Sequence, residues 1–333
     1  MPPLQRNYRY ILIFCVACLV VFIFFNFDSG GESESSFSLA GYPGDTNITA
    51  RVELAEQTYS KVLEKRKKLI KWFGPEEEQI VMFPPNADPW PAYTAWDFFP
   101  PAFNCPHEVE RIGALGDGGK WICGLSRLAD KKDCVVYVFG IDFESSYEAE
   151  VLRRTRHCEI WGHDPVQEHF GSHIAGDLQS RTHFTKLQLA QKDESNGDEI
   201  PRRTLQSIMR ANGHTQIDIL KIDVEGWEFE TLKSIIQPYL DTNTPLPFAQ
   251  LHLEVHAWNK KFPEFLKWWE MLEAVGLRPF MSEPNLVYVN YNRQSGTELA
   301  DYSFLNIKGS NVFLSDSAYT PHVDLDRRED SQH

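Results

Sequence analysis

A chain of 333 residues, 42% of them apolar and nine of them tryptophan, has the material for one large core, which excludes wholesale disorder and leaves little room for two full domains. Its formal net charge of −14 speaks against a nucleic-acid partner, because phosphate backbones are bound by basic surfaces.

Taken in chain order, the first feature is an unbroken apolar run at 11–25, with Arg6 and Arg9 before it and Asp28, Glu32 and Glu34 after it. It is shorter than the roughly 20 residues a bilayer core requires, but Tyr8, Tyr10 and Phe27 extend it at the interfaces. No small-residue cleavage motif follows, so the pattern predicts an uncleaved anchor: a cytosolic tail at 1–9, a transmembrane segment at 10–27, and the remainder lumenal, by the positive-inside rule. Residues 28–103 read as stem and connection. They comprise a Gly, Ser and Glu-rich stretch, a helix over 51–73 whose lysine-rich run at 61–71 is a solvated face, and a proline-dense segment around Pro84, Pro85, Pro89 and Pro91. The sequon Asn47-Ile48-Thr49 sits where a glycan is tolerated. The globular domain is expected over 104–314, and a frayed, charged tail over 315–333.

Within the domain, short apolar runs at 134–139, 158–163, 183–189, 217–222 and 249–255 alternate with helical patterns at 147–156, 204–212, 227–239 and 263–275. That alternation predicts βαβ units and a parallel sheet with helices on both faces. Two late strands, near Phe280 and at 304–307, would bring the sheet to seven. Cys105, Cys123, Cys134 and Cys158 allow three pairings in an oxidising compartment. Cys105 with Cys123 and Cys134 with Cys158 is the favoured one, because Cys134 and Cys158 open two neighbouring strands; four free thiols is the other reading.

In such sheets ligands lie beyond the carboxyl ends of the strands. The first strand runs into Gly140-Ile141-Asp142-Phe143-Glu144-Ser145-Ser146, where the glycine admits a close nucleotide and a serine can cap the next helix. A full Gly-x-Gly-x-x-Gly is missing, which disfavours a pyrophosphate. The second strand ends at Asp164-Pro165, an acid placed to accept from a ribose diol or to cap a turn. The run Ile217-Asp-Ile-Leu-Lys-Ile-Asp-Val-Glu-Gly-Trp-Glu carries Asp223 and Glu225 from a buried strand to the mouth of the sheet. There they can orient a hydroxyl, face a cation or hold a divalent metal, unless Asp223 only caps the following helix. His252, Glu254 and His256 alternate on one face of the next strand; His256 is a candidate general base, and the stripe invites a metal site completed by Asp223, against a plain core role for each histidine.

These residues carry a resemblance. Thr204-Leu-Gln-Ser, the Lys221-Ile-Asp-Val-Glu-Gly226 core and Leu253-Glu-Val-His256 resemble the FkbM-type S-adenosylmethionine-dependent methyltransferases. The segments at 111–123 and 136–142 resemble their membrane-anchored methyltransferase-like branch. The resemblance implies a Rossmann-like methyltransferase fold, cofactor contacts by Gly140, Ile141, Asp142, Glu144, Asp164 and Pro165, and methyl transfer to an oxygen of an unnamed acceptor, whether glycan, lipid or small molecule. Asp223, Glu225 and His256 are the catalytic candidates, and a lumenal site in the Golgi or endoplasmic reticulum follows from the anchor. A membrane-anchored glycosyltransferase, with Asp223 and Glu225 as its metal-binding pair, and an inactive methyltransferase-like binding domain are the competing readings.

Overall fold

The computed structural model describes residues 47–74, 76–83, 94–194, 200–291 and 297–316. Helix α1 (Ile48–Phe73) and the short α2 (Ala95–Phe98) precede a hairpin of β1 (Val109–Ile112) and β2 (Lys120–Cys123). The main run follows: β3 (Val135–Phe139), α3 (Ser146–Arg154), β4 (Glu159–Asp164), β5 (Thr182–Lys186), the two-residue β6 (Gln188–Leu189) and β7 (Arg202–Arg203), α4 (Leu205–Asn212), β8 (Ile217–Ile222) and α5 (Glu228–Thr242). It ends with β9 (Phe248–His256), α6 (Phe262–Ala274), β10 (Leu277–Pro284), α7 (Leu286–Tyr291) and β11 (Leu299–Asn306).

Seven strands form one sheet in the order β10-β11-β9-β8-β3-β4-β5. The five strands from β9 to β5 are parallel, and β11 is antiparallel to both of its neighbours. From β3 the chain winds outward through β4 to β5, then returns to lay β8 and β9 on the other side. The order therefore reverses between β3 and β8, which is where an open α/β sheet leaves a crevice beyond its strand ends. This is the expected Rossmann-like sheet of seven mostly parallel strands. Strand periodicity explains its two cores: Tyr137 and Phe139 point into one with Leu220, Ile222 and Leu253, whereas Val136 and Val138 point into the other with Ile219 and Ala249.

The observed elements follow the predicted ones to within a few residues, and both favoured disulfides, Cys105–Cys123 and Cys134–Cys158, are present. The domain boundary needs correction. The helix assigned to the stem is part of the domain, because Tyr59 and Arg66 are buried and both bind the Glu273 carboxylate, Tyr59 Oη at 2.5 Å and Arg66 Nη2 at 2.8 Å. Phe98, Phe99 and Phe103, also placed before the domain, are among the largest fully buried side chains. Partners more than 200 residues away in sequence are invisible to local periodicity, so the boundary belongs at Asn47 rather than near Cys105. Among the described residues no helix is long and apolar enough to cross a membrane. The predicted anchor at 10–27, the tail at 1–9, the proline-dense stretch from 84 to 93 and the tail beyond 316 lie outside the described residues.

Candidate active site

Three adjacent strand tips meet at the switch point. The amide of Gly140 donates to the His163 carbonyl at 3.2 Å and that of Asp223 to the Phe139 carbonyl at 2.9 Å, which ties the tips of β3, β4 and β8 together. Gly140 has φ +83° and lies so close to the Asp223 carbonyl oxygen that a Cβ would overlap it, so only glycine satisfies both the left-handed backbone and the approach. One residue on, the Ile141 amide donates to Asp164 Oδ2 at 2.9 Å. The predicted residues Gly140, Asp164 and Asp223 are thus brought together.

Their uses are more specific than the sequence suggested. Asp164 Oδ1 also accepts from the amides of Val166 and Gln167, at 2.6 and 2.8 Å. Three of roughly four acceptor positions on this carboxylate are therefore occupied by backbone, so Asp164 clasps two loops and leaves one position on Oδ2 for a ligand. Pro165 is half-buried beside it and Asp142 is exposed, its Oδ1 accepting from the Phe143 amide at 2.7 Å. The start of α3 is not capped by a serine hydroxyl. Glu144 Oε1 accepts from the Ser146 amide at 2.7 Å, while the Ser145 and Ser146 hydroxyls accept from the amides of Gly171 and Ala114 and so hold neighbouring loops.

An acidic cluster lies next to this clasp. Asp223, Glu254 and His256 each bring one ligand-type atom to within 4.8 Å of the others. Burial and the facing Glu254 carboxylate push the Asp223 carboxyl well above its usual range, and the two share a hydrogen bond. Glu254, although buried, is held below its usual range by Lys120 and by hydrogen bonds from Asp223 and Asn285. Lys120 is 2% exposed and pairs with Asp301 at 2.8 Å; burial opposes its charge, but Asp301, Glu254 and Asp223 raise its pKa. Burial likewise pulls His256 down, yet Glu228 and the two carboxylates prevail and raise it.

Two of the sequence's candidates fall outside the cluster. Glu225, named as catalytic, is exposed at φ +47°, because its short loop turns the side chain outward before Gly226. His252 is a core histidine: fully buried, its Nδ1 2.9 Å from the Tyr147 hydroxyl, with a pKa driven down to about 3 by desolvation. Asp223 does not cap α5, whose first turn is instead tied down by Glu228, accepting from the amides of Gly226 at 2.8 Å and His256 at 2.6 Å. Lys120 and Glu228 were missed. The signal for Lys120 was a charge inside the strand-like Lys120-Trp-Ile-Cys123 run directly after Gly116-Asp-Gly-Gly119. Nothing local marked Glu228.

The rim of the mouth is apolar. Leu115, Phe143, Val166, Trp227 and Leu286 are all exposed: Phe143, Val166 and Trp227 follow the ends of β3, β4 and β8, Leu115 lies in the β1–β2 turn, and Leu286 opens α7 after β10. A cavity of about 290 Å³ opens beside Trp227, between β6, β7 and the start of α5.

The model of a family described as a methyltransferase domain matches residues 53–296. The chain belongs to this methyltransferase family. Its match begins inside α1, in agreement with the corrected boundary. No curated protein sequence matches the methyltransferase. Among solved structures it is similar to the fibrillarin pre-rRNA processing protein of Methanococcus jannaschii, with 9% identity, 61% of this chain and 73% of that chain covered, and a TM-score of 0.33. It is also similar to the human methyltransferase 10 domain containing protein, with 10% identity, 56% and 79% covered, and a TM-score of 0.33. S-adenosylmethionine is the cofactor the methyltransferase implies, and the residues at the mouth fit it. The Asp223–Glu254 pair, ionised at Glu254, supplies negative charge for a sulfonium, and the loop from Gly140 to Ser146 carries no lysine or arginine that a phosphate would want.

Proposed function

We propose that this methyltransferase is FkbM-like and moves the methyl group of S-adenosylmethionine to a hydroxyl of an acceptor. One observation carries the reading: the Gly140–Asp164 clasp and the Asp223, Glu254 and His256 cluster share one mouth at the switch point. When bound, the cofactor supplies an electrophilic methyl carbon, so the protein's task is mainly alignment of the nucleophilic oxygen. Gly140 opens the backbone to the donor, and the acids face its positive charge. The cluster hydrogen-bonds the acceptor hydroxyl, whose proton passes to Glu254, the carboxylate that Lys120 keeps ionised. Phe143 and Trp227 at the rim favour an acceptor with an apolar portion, such as a lipid or an aromatic alcohol. The overall acidity disfavours a nucleic-acid acceptor.

The site is proposed to work in the secretory lumen, on a type II anchor at 10–27. Two formed disulfides support that compartment, since such bonds persist where the environment is oxidising. Calorimetry with S-adenosylhomocysteine tests the reading: saturable one-to-one binding is expected in the wild type and at least a 100-fold loss in Gly140→Ala. Heat with uridine or guanosine diphosphate sugars and none with S-adenosylhomocysteine would overturn it in favour of glycosyl transfer.

A further inference from the structure

We propose that Asp223, Glu254 and His256 form a binding site for one divalent first-row metal ion, manganese or zinc in class. Two carboxylates with one imidazole suit such ions, whereas magnesium and calcium prefer oxygen donors alone. Metal distances of about 2.0–2.2 Å place ligand atoms roughly 3–4 Å apart, and the three atoms here already lie within 4.8 Å. Small side-chain rotations close the difference.

The surroundings are built as a ligand site is built. His256 is 4% exposed and its buried Nδ1 makes no hydrogen bond of ordinary length. Its Nδ1 faces Glu228 Oε1 at 3.4 Å, which leaves Nε2 for the cation. A buried carboxylate behind a histidine is the usual outer partner of a metal-binding imidazole, fixing its tautomer and orientation. Glu254 Oε1 accepts from Asn285 Nδ2 at 2.8 Å, and its carboxylate faces that of Asp223 across a shared hydrogen bond. The Asp223 backbone is pinned to Phe139 at 2.9 Å. Charge points the same way. Lys120 pairs with Asp301 at 2.8 Å and Lys221 with Glu148 at 2.9 Å. Each lysine has a carboxylate partner of its own, so neither ammonium occupies the gap between the facing Asp223 and Glu254 carboxylates. Three protein ligands on a half-open cluster leave coordination positions for water or an acceptor oxygen.

The purpose of such a site, though not its existence, rests on the methyl-transfer reading. The test uses the full chain, purified in detergent and stripped with a chelator. Manganese is titrated by electron paramagnetic resonance and zinc by calorimetry, with magnesium and calcium as comparators and S-adenosylhomocysteine binding measured in the same preparation. One equivalent of manganese or zinc, bound more than 10-fold tighter than magnesium or calcium, is expected. Asp223→Asn, Glu254→Gln and His256→Ala are each expected to weaken it more than 10-fold while keeping the far-ultraviolet dichroism of the wild type. Should a variant fail to fold, nitrogen coupling from an imidazole in the wild-type manganese spectrum decides. Binding without that coupling, no stoichiometric binding at millimolar metal, or binding unchanged in folded variants overturns the site. Cofactor binding without metal binding sinks the metal alone, whereas metal binding without cofactor binding sinks the methyl-transfer reading alone.

Discussion

At the scale of single residues, the positions that matter most are those whose neighbours come from other strands. Gly140 is the clearest: alanine there forces the Asp223 carbonyl away and adopts a disfavoured φ, so a stability loss of about 2–4 kcal/mol is expected together with the lost cofactor binding. Urea denaturation measures the first and calorimetry the second. His163 gives a pH prediction. It is 2% exposed at the β4 tip and stacked on Phe139, and burial drives its pKa down from 6.5 to about 4. Between those values the unfolded chain binds a proton that the folded protein refuses, so this residue makes stability fall as the pH drops. The slope is about 1.4 kcal/mol per pH unit. His163→Phe removes it, and the difference between wild type and variant in urea denaturation should shrink by that amount per unit from pH 6.5 to 4. A difference that does not change with pH would contradict the assignment. The catalytic candidates divided along the same line. Asp223 and His256 were legible because they stand at the ends of adjacent strands, whereas Glu225 misled because a left-handed turn three residues past the strand has no signature in the sequence.

At the scale of elements, the β1–β2 hairpin and the docking of α1 were the parts least visible in the sequence, and the hairpin bears on the site. The hairpin lies on the face of β9 that carries Gln250, His252 and Glu254, and it places Lys120 against Glu254 and Asp301. Gln250 holds it by accepting from the Cys123 amide at 3.1 Å and donating to the Cys123 carbonyl at 2.7 Å. The Cys105–Cys123 disulfide closes a loop with a sequence separation of 18, so Cys105→Ser with Cys123→Ser should cost about 3 kcal/mol by chain entropy. With reductant in both samples, which opens Cys134–Cys158 as well, the urea midpoints of wild type and variant should coincide. Helix α1 is amphipathic in the ordinary way, which is why it was predicted as a helix. Its docking through Tyr59, Arg66 and Glu273 is a matter of distant partners. A chain that begins at Asn47 should therefore unfold cooperatively, and one that begins at Cys105 should be insoluble or molten by near-ultraviolet dichroism. Cooperative unfolding of the shorter chain would show that α1 is dispensable.

At the scale of the whole molecule, the proposed compartment is tested through the anchor and the glycan. Asn47 is the N-cap of α1, its Oδ1 accepting from the amides of Thr49 at 3.0 Å and Ala50 at 3.4 Å. An N-linked sugar uses Nδ2, so the cap and the glycan are compatible. Full-length protein from secretory cells should stay with membranes through alkaline carbonate extraction and shift on a gel after endoglycosidase treatment. Thr49→Ala should abolish the shift and leave the cap intact, since Thr49 contributes only its amide to the cap. Release into the carbonate supernatant would mean that the apolar run is cleaved.

The sequence by itself determined the alternation of strands and helices, the seven-stranded sheet and the strand tips at which Gly140, Asp164 and Asp223 stand, while it favoured the disulfide pairing that formed without deciding it against free thiols. Those are consequences of local periodicity and of the rule that ligands gather beyond parallel strand ends. Only the tertiary structure decided that Asp164 spends most of its carboxylate on backbone, that Lys120 and Glu228 enter the site, that His252 and Glu225 leave it, and that the domain begins at Asn47. In each case the deciding partner lies on another element or in the exact course of a turn. Hydrogen bonds and buried charges are satisfied through space, whereas the pattern of apolar residues is written along the chain.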